Sequence, residues 1–285
     1  MPRIIQISDT HLSAHHGFFV ENFARVIAAV AEESPHLVVN SGDLSINGAE
    51  DDADLRYAAA CHARIAAPVA IIPGNHDIGE EPGALHMDQP ISGARIARYK
   101  AVFRTDRFAR DVGAWRILGI NSLLIASGLD EEGEQFDWFA DALASAKGRP
   151  IGLFLHKPFW IESADEAPQP EWTVDPQARE AYLDLIEAAG VRFVASGHLH
   201  QRRQRDFGGV RHVWGPSTAF PSNTDLPGGE RVLGYTVFDL ESDGAFTARF
   251  AAPDLVRHDY DALKENGRYP FLKDVPAFAP PEGWA

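Results

Sequence analysis

Five short motifs of metal-binding residue types lie within the first 200 residues, and each follows an apolar run typical of a buried strand. Their carboxylate, amide and imidazole groups suit ions such as Mn²⁺, Fe, Zn²⁺ and Co²⁺. Two ions held by such ligands can activate a water molecule for attack on a phosphate ester. In chain order the motifs are Asp9-Thr10-His11, Gly42-Asp43, Gly74-Asn75-His76-Asp77, His156 and Gly197-His198-Leu199-His200.

Alternating strand and helix patterns explain how these motifs could meet. Apolar runs before the motifs predict strands at residues 3–8, 36–40, 68–73, 150–155 and 191–195. Helical spacing of apolar residues predicts helices at 21–33, 52–65, 91–104, 133–146 and 177–189. Loops at the carboxyl ends of parallel strands lie along one edge of a sheet. We therefore expect the five motifs to converge at that edge.

The order of the predicted elements also indicates the fold class. A further strand is predicted at 115–120, and β patterns dominate after residue 208, at 210–214, 232–240 and 245–251. Alternating strands and helices followed by hairpins fit an α/β fold, a layered sandwich of mixed sheets with helices outside. We expect one domain at 1–252. The tail at 253–285 is expected to form a small cap or an ordered strap across the domain.

Composition restricts the partners and the compartment. The 285 residues carry a net charge of −15, which argues against a nucleic-acid polymer as the main partner. Acidity does not exclude small phosphorylated substrates, because bound metal would reverse the local charge. The single cysteine, Cys61, excludes an internal disulfide, fits a reducing compartment and is expected to be a buried small side chain.

The start of the chain and its hydropathy suggest a location. The first strand begins at Arg3 and leads into Asp9, so a cleavable leader would remove part of the site. We expect no membrane span, because a run of about 18 apolar residues is missing from the sequence. The expected location is the cytoplasm.

Each motif alone has an ordinary structural interpretation. An Asp-X-His pair is usually a loop or capping feature, and Gly-Asp is most often a turn. Gly-Asn-His-Asp is more specific, because few turns need an amide, an imidazole and a carboxylate in succession. The metal interpretation therefore depends on all five motifs together, each in the same strand context.

Together the motifs resemble the pattern of the calcineurin-like metallophosphoesterase superfamily, complete and in order from residue 9 to residue 200. The resemblance implies a metallophosphoesterase-like α/β fold, a four-layer sandwich of two mixed β-sheets flanked by helices. It also implies two metal ions (Mn, Fe or Zn) and a hydroxide bridging them as the nucleophile. It implies that one ion is bound by Asp9, His11 and His200, the other by Asn75, His156 and His198, and both by Asp43. His76 would contact the substrate phosphate or protonate the leaving group, and Asp77 would orient the His76 imidazole.

Local features are most similar to the bacterial cyclic-nucleotide phosphodiesterase and glycerophosphodiesterase branch. They include Ser41-Gly42-Asp43-Leu44 and His156-Lys157-Pro158-Phe159. Many members of this branch carry an arginine soon after the Asn-His-Asp motif. This chain has Ile78-Gly79-Glu80 there instead. The resemblance implies a small phosphodiester substrate, a cyclic nucleotide or a glycerophosphodiester, and is compatible with a homodimer.

Two other functions stay open. The same site would serve a phosphomonoesterase or nucleotidase, which differs only in its pocket. A non-catalytic scaffold on this fold is the third interpretation, although such proteins typically lose ligands or the near-site histidine. Several neighbouring residues also have two interpretations, substrate contact or ordinary surface and packing: His15, His16, Phe159, Trp160, Arg202 and Arg203.

Overall fold

Each motif lies just after a β-strand in the computed structural model, which describes residues 1–82, 84, 89–222, 224–257 and 283–284. The strands among these residues are β1 (Arg3–Ile7), β2 (Leu37–Asn40), β3 (Val69–Ile71), β4 (Phe108–Val112), β5 (Trp115–Gly119), β6 (Ile151–Phe154), β7 (Val191–Ser196), β8 (Arg203–Phe207), β9 (Val210–Trp214), β10 (Tyr235–Leu240) and β11 (Phe246–Ala251). The α-helices are α1 (Val20–Glu32), α2 (Asp52–His62), α3 (Asn75–Ile78), α4 (Gly93–Phe103), α5 (Asp130–Ala144) and α6 (Pro176–Ala189).

These strands form two mixed sheets. The first has the order β11-β10-β1-β2-β3, in which β1, β2 and β3 are parallel and β10 and β11 are added antiparallel. The second has the order β4-β5-β6-β7-β9-β8, with parallel pairs from β5 to β9 and an antiparallel pair at each edge. The motif-bearing strands β1, β2, β3, β6 and β7 all belong to the parallel parts.

Alternating side chains of the central strands enter two different cores. Ile4 and Leu37 lie in the core between the two sheets, together with side chains of the second sheet. Ile5 and Val38 point to the opposite face, where they pack against α1, α2 and α4. Helices α5 and α6 cover the outer face of the second sheet. The layers are therefore helix, sheet, sheet and helix, which confirms the predicted four-layer α/β sandwich.

Helix ends follow local capping chemistry. Helix α6 begins after Asp175, whose side chain accepts hydrogen bonds from the backbone N–H groups of Gln177 and Ala178, with Pro176 in the first turn. It ends at Gly190, whose φ of +66° is readily adopted only without a side chain. These signals explain why the predicted helix at 177–189 agrees with the structure to within one residue.

Two strands were missed by the sequence prediction, and both lie at edges of the second sheet. In β4, Arg110 and Asp111 are exposed, and in β8 the exposed positions include Gln204 and Asp206. An edge strand faces solvent along one side and often carries charged residues, so it lacks the continuous apolar run of a central strand.

A buried histidine joins α2 to the loop after β2. The Nδ1 atom of His62 lies 2.7 Å from the carbonyl oxygen of Ala58, so Nδ1 carries the hydrogen and Nε2 is the acceptor. That Nε2 atom accepts a hydrogen bond from the side-chain amide of Asn40 at 2.7 Å. The side-chain oxygen of Asn40 in turn accepts a hydrogen bond from the backbone N–H of Gly42 at 3.0 Å. Neutral His62 thus supports the backbone next to Asp43.

We expect His62 to make the fold sensitive to acid. Burial lowers the pKa of His62 from 6.5 to about 4, so the unfolded chain binds the proton first as pH falls. The free energy of unfolding should therefore decrease between pH 6.5 and pH 4, by about 3 kcal/mol from this group. Urea unfolding of the wild type and His62→Gln at pH 7, 5 and 4 measures the difference. Parallel pH profiles for the two proteins would contradict this expectation.

The division into residues 1–252 and a tail at 253–285 remains a prediction, because 258–282 and 285 lie outside the described residues. The described ends of the tail contact α1. Val256 exchanges backbone hydrogen bonds with the side chain of Asn22, and the Trp284 ring packs edge-on against Phe23. Within the described part of the chain, the helices are too short or too polar to cross a membrane.

Candidate metal centre

All seven candidate ligands meet where the parallel strands of both sheets end. Six of them are almost fully buried, and His198 is partly exposed. They are Asp9 after β1, with His11 beside it, Asp43 after β2, Asn75 after β3, His156 after β6, and His198 and His200 after β7. The site is thus assembled from five separate strand ends.

The ligand atoms form two clusters that share one carboxylate. Donor atoms of Asp9, His11, Asp43 and His200 lie within 4.8 Å of one another, and so do those of Asp43, His156 and His198. The Oδ1 atom of Asn75 lies 3.1 Å from Nε2 of His156, which places this amide at the second cluster. The donor sets fit two metal ions, with Asp43 available to both.

Backbone carbonyls fix which nitrogen of three histidines faces the clusters. Nδ1 of His156 lies 2.8 Å from the Ser41 oxygen, and Nδ1 of His200 lies 2.8 Å from the Phe220 oxygen. Nε2 of His198 lies 2.7 Å from the Glu171 oxygen. Carbonyl oxygens only accept, so each of these nitrogens carries a hydrogen and the other nitrogen offers a lone pair. Metal-binding histidines are oriented in the same way.

When the imidazoles are neutral, the inward-facing atoms are acceptors placed close together. Nε2 of His156 lies 3.2 Å from Nδ1 of His198 and 3.4 Å from Oδ2 of Asp43. Nε2 of His200 lies 3.3 Å from Oδ1 of Asp9. Converging lone pairs and carboxylate oxygens repel one another unless positive charge lies among them, so this arrangement is suited to binding cations.

The pKa shifts agree with a site that attracts cations. Burial, followed by the neighbouring imidazoles, lowers the pKa of His198 to about 3 and holds the pKa of His11 well below its ordinary value. Burial opposes ionisation of Asp43, yet the nearby His156 and His76 hold its pKa well below the ordinary value. Burial also disfavours protonation of His156, but Asp43 and Asp9 raise its pKa to about 9. The carboxylates thus draw positive charge into the site.

Backbone conformation marks the same residues. Five of the seven candidate ligands have a positive φ, which side-chain-bearing residues rarely adopt. Each such conformation costs on the order of 1–3 kcal/mol and tends to occur at functional sites. The residues are Asp9 (53°), His11 (44°), Asp43 (52°), His198 (67°) and His200 (51°).

Two motif glycines allow the loops to approach the ligands. At Gly42, which has a φ of +104°, an added Cβ atom would lie 2.5 Å from Nδ1 of His156. At Gly74, it would lie 2.2 Å from Oδ1 of Asp43. Glycine is therefore needed at both positions for steric reasons, in addition to any turn preference.

His76 lies beside the shared carboxylate. Its Nε2 atom is 3.8 Å from Oδ2 of Asp43, and its backbone N–H donates to Oδ1 of the same residue at 2.9 Å. Its Nδ1 atom lies 2.9 Å from the carbonyl oxygen of Ile46, and this contact orients the ring. Burial lowers the pKa of His76.

Asp77 is expected to orient the His76 imidazole, but the hydrogen bonds of its carboxylate go to other groups. Its carboxylate accepts the backbone N–H groups of Leu44, Ser45 and Gly74 and the Ser45 hydroxyl, at 2.6–3.1 Å. Burial and then the charge of Asp43 raise the pKa of Asp77 to about 6. These bonds join the loop that follows Asp43 to the loop that begins at Gly74, so Asp77 fixes the backbone around Asp43.

Phe159 and Trp160 belong to the hydrophobic core. They are 2% and 6% exposed and pack in the cluster that contains Tyr182 and α6. The interpretation that they pack the chain is therefore favoured over the interpretation that they bind a base. The sequence position of these two residues, shortly after His156, does not distinguish packing from base binding.

The arginines after His200 are engaged by carboxylates. Arg202 lies 2.6 Å from Glu230, and Arg203 lies 2.7 Å from Glu162. His15 is largely exposed and pairs with Asp51 at 2.9 Å. These contacts favour the surface interpretation for Arg202, Arg203 and His15.

Three buried charged residues next to the site were missed by the sequence prediction. Glu80 accepts the side-chain amide of Asn75 at 3.1 Å, and Glu81 forms an ion pair with Lys157. All three are at most 5% exposed. Their only sequence signal was two successive glutamates shortly after the Gly-Asn-His-Asp motif, and a lysine directly after His156.

Comparison with known proteins agrees with this geometry. Several curated relatives are named 3′,5′-cyclic adenosine monophosphate phosphodiesterase CpdA. The one from Escherichia coli K12 is 30% identical over 263 residues, covering 86% of this chain and 87% of that protein. The one from Pseudomonas aeruginosa is 28% identical over 276 residues, covering 90% of this chain and 92% of that protein.

Solved structures show the same fold at lower identity. Purple acid phosphatase PPD1 from yellow lupin has a TM-score of 0.62 at 16% identity, covering 90% of this chain and 52% of that one. A dimetal phosphatase from Danio rerio has a TM-score of 0.58 at 14% identity, covering 87% and 95%. The sequence model of the calcineurin-like phosphoesterases matches residues 2–202. With this match over more than half its length, the chain belongs to the calcineurin-like phosphoesterase family.

Proposed function

We propose that this protein is a metal-dependent phosphodiesterase that hydrolyses 3′,5′-cyclic nucleotides. The observation that carries the proposal is the complete pair of donor clusters sharing Asp43, with His76 beside them. The relatives named as cyclic AMP phosphodiesterases, which match over most of their length, support the substrate class. Glycerophosphodiesters are the second substrate class to be tested.

Two ions at this site would supply an activated water molecule and neutralise the phosphate oxygens. The chain's own residues supply the rest. Asp9, His11 and His200 would hold one ion, Asn75, His156 and His198 the other, and Asp43 both. Nitrogen and oxygen donors without a thiolate favour Mn, Fe or Zn as the metals. The Nε2 atom of His76 lies 3.8 Å from Oδ2 of Asp43, and in this proposal His76, once protonated, would pass a proton to the leaving oxygen.

The proposal also includes the size of the substrate and the cellular location of the protein. The net charge of −15 supports a small substrate over a nucleic-acid polymer. We propose a cytoplasmic location, supported by Cys61, the single cysteine, which is buried and free as expected in a reducing compartment.

A substrate panel tests the proposed class. Manganese-loaded protein would be given 3′,5′-cyclic AMP, glycerophosphocholine and AMP in parallel, with products separated by chromatography. We expect cyclic AMP to yield AMP, with no further release of phosphate. Faster cleavage of glycerophosphocholine would assign the other diester class, and phosphate release from AMP would indicate a phosphomonoesterase. A folded, metal-bound protein that cleaves none of them would support the scaffold interpretation.

Replacing His76 should distinguish its two expected roles. If His76 passes a proton to the leaving oxygen, His76→Ala should lower kcat for cyclic AMP by about 10²–10⁴-fold. The loss should be much smaller for bis(p-nitrophenyl) phosphate, because p-nitrophenolate leaves without protonation. Steady-state kinetics with both substrates measure the contrast. Equal losses on both would assign His76 to phosphate contact instead of proton transfer.

A further inference from the structure

The side-chain amide of Asn75 lies between His156 on one side and Glu80 on the other. Its Oδ1 atom faces His156 at 3.1 Å, and its Nδ2 atom donates to Oε1 of Glu80 at 3.1 Å. An asparagine amide has nearly the same shape after a 180° flip, so shape alone does not decide which atom faces the site. Only the oxygen can bind a cation, since the amide nitrogen presents two hydrogens.

Glu80 removes this ambiguity. A carboxylate accepts hydrogen bonds and donates none, so it selects the orientation in which Nδ2 faces Glu80 and Oδ1 faces the second cluster. Glu80 is itself held in place. Its backbone N–H donates to Gln89 at 2.9 Å, and its carbonyl oxygen accepts the N–H of Ile91 at 2.7 Å. At 3% exposure, the side chain has little room to move away.

Charge gives Glu80 a second effect on the same cluster. The first cluster contains two carboxylates, Asp9 and Asp43, whereas the second contains Asp43 alone. Glu80 brings another carboxylate next to Asn75, on the side with less negative charge. Burying a carboxylate is costly, and a nearby cation offsets that cost.

We propose that Glu80 is a positioning residue that orients the Asn75 amide for metal binding and thereby sets the affinity of the second of the two ion positions. This inference rests on the two-ion site of the proposed function. It goes beyond the family motifs, because Glu80 lies outside them, at the Ile78-Gly79-Glu80 segment.

Manganese binding to chelator-stripped protein tests the proposal. Isothermal titration of the wild type should show two bound ions. In Glu80→Ala, one ion should bind about 10–100-fold more weakly, as is usual when a partner of a ligand is lost, while the other is unchanged. Glu80→Gln should give a smaller loss, because an amide retains an acceptor but loses the charge. Thermal unfolding of the metal-free variants reports separately on their folding.

A matched control is available elsewhere in the chain. The buried carboxylate of Asp106 accepts the side-chain amide of Asn121 at 3.4 Å and pairs with Lys100 and Arg107, none of which is a candidate ligand. Asp106→Ala should bind both ions like the wild type. In addition, Asn75→Ala combined with Glu80→Ala should lose clearly less affinity than the two single losses added together, because Glu80 acts in large part through Asn75.

The outcomes separate this proposal from the proposed function. Wild-type affinity for both ions in Glu80→Ala, or equal weakening of both, would overturn the role of Glu80. An additive loss in the double variant would also overturn it, in favour of a pure charge effect. Wild type that binds two ions without cleaving diesters would overturn the function and leave the Glu80 assignment standing. Wild type that binds no manganese would overturn both.

Discussion

Asp43→Ala is expected to abolish metal-dependent diester hydrolysis and to remove both bound ions. Asp43 belongs to both donor clusters, and no other described residue does. Loss of a residue that merely supports a ligand typically costs about 10–100-fold in activity or metal affinity, so loss of a ligand shared by two ions should cost more. Its Oδ1 atom also accepts the backbone N–H of His76, so the change loosens the neighbouring motif as well.

Hydrolysis rates and metal content of the purified variant measure this effect. Asp206→Ala is a suitable control, because Asp206 is an exposed carboxylate paired with Arg211 on the edge strand β8. It should retain both ions and wild-type activity. An Asp43→Ala protein that still cleaves diesters after removal of metal would contradict the two-ion account.

Glu81→Leu is expected to destabilise the fold by about 3–5 kcal/mol. Lys157 is 1% exposed. Among the described residues, its ammonium has two hydrogen-bond or ion-pair partners, the carboxylate of Glu81 and the carbonyl oxygen of Pro170. Removing Glu81 leaves a buried charge without its counter-charge, which costs far more than the intact pair contributes. Urea unfolding of metal-free protein at pH 7 measures the difference.

The double variant provides the matched control for this prediction. Glu81→Leu combined with Lys157→Met replaces the ion pair by apolar side chains of similar size, so its stability should be close to that of the wild type or higher. Such a recovery would show that the unpaired charge, and not lost packing, destabilises Glu81→Leu. A loss below about 1 kcal/mol in Glu81→Leu would mean that water reaches Lys157 in solution.

Much of the fold was predictable because central parallel strands have a simple signature. The apolar runs before Asp9, Asp43 and His156 form buried strands, and a layered α/β sandwich follows from their alternation with helices. The same pattern predicted that the candidate ligands would converge at one edge, which is where the structure places them. The spacing of apolar residues also predicted a helix at 177–189, which agrees with α6 (Pro176–Ala189) to within a residue.

Other features depend on contacts between residues distant in sequence, and those were not predictable. The strand β8 has a polar sequence and is defined by its pairing with β9. The bonds of Asp77 reach back more than 30 residues to the loop containing Leu44 and Ser45. The proposed role of Glu80 depends on which way the Asn75 amide is oriented, and neither residue periodicity nor a motif indicates that orientation.

If two bound ions make this protein a diesterase, its hydrolytic activity should depend on added metal and should favour diesters over monoesters. Chelator-stripped protein would be assayed with bis(p-nitrophenyl) phosphate and p-nitrophenyl phosphate, before and after addition of Mn²⁺. We expect no cleavage by the stripped protein, and restored cleavage with Mn²⁺ that favours the diester. Cleavage that persists without metal, or restored activity that favours the monoester, would contradict this expectation.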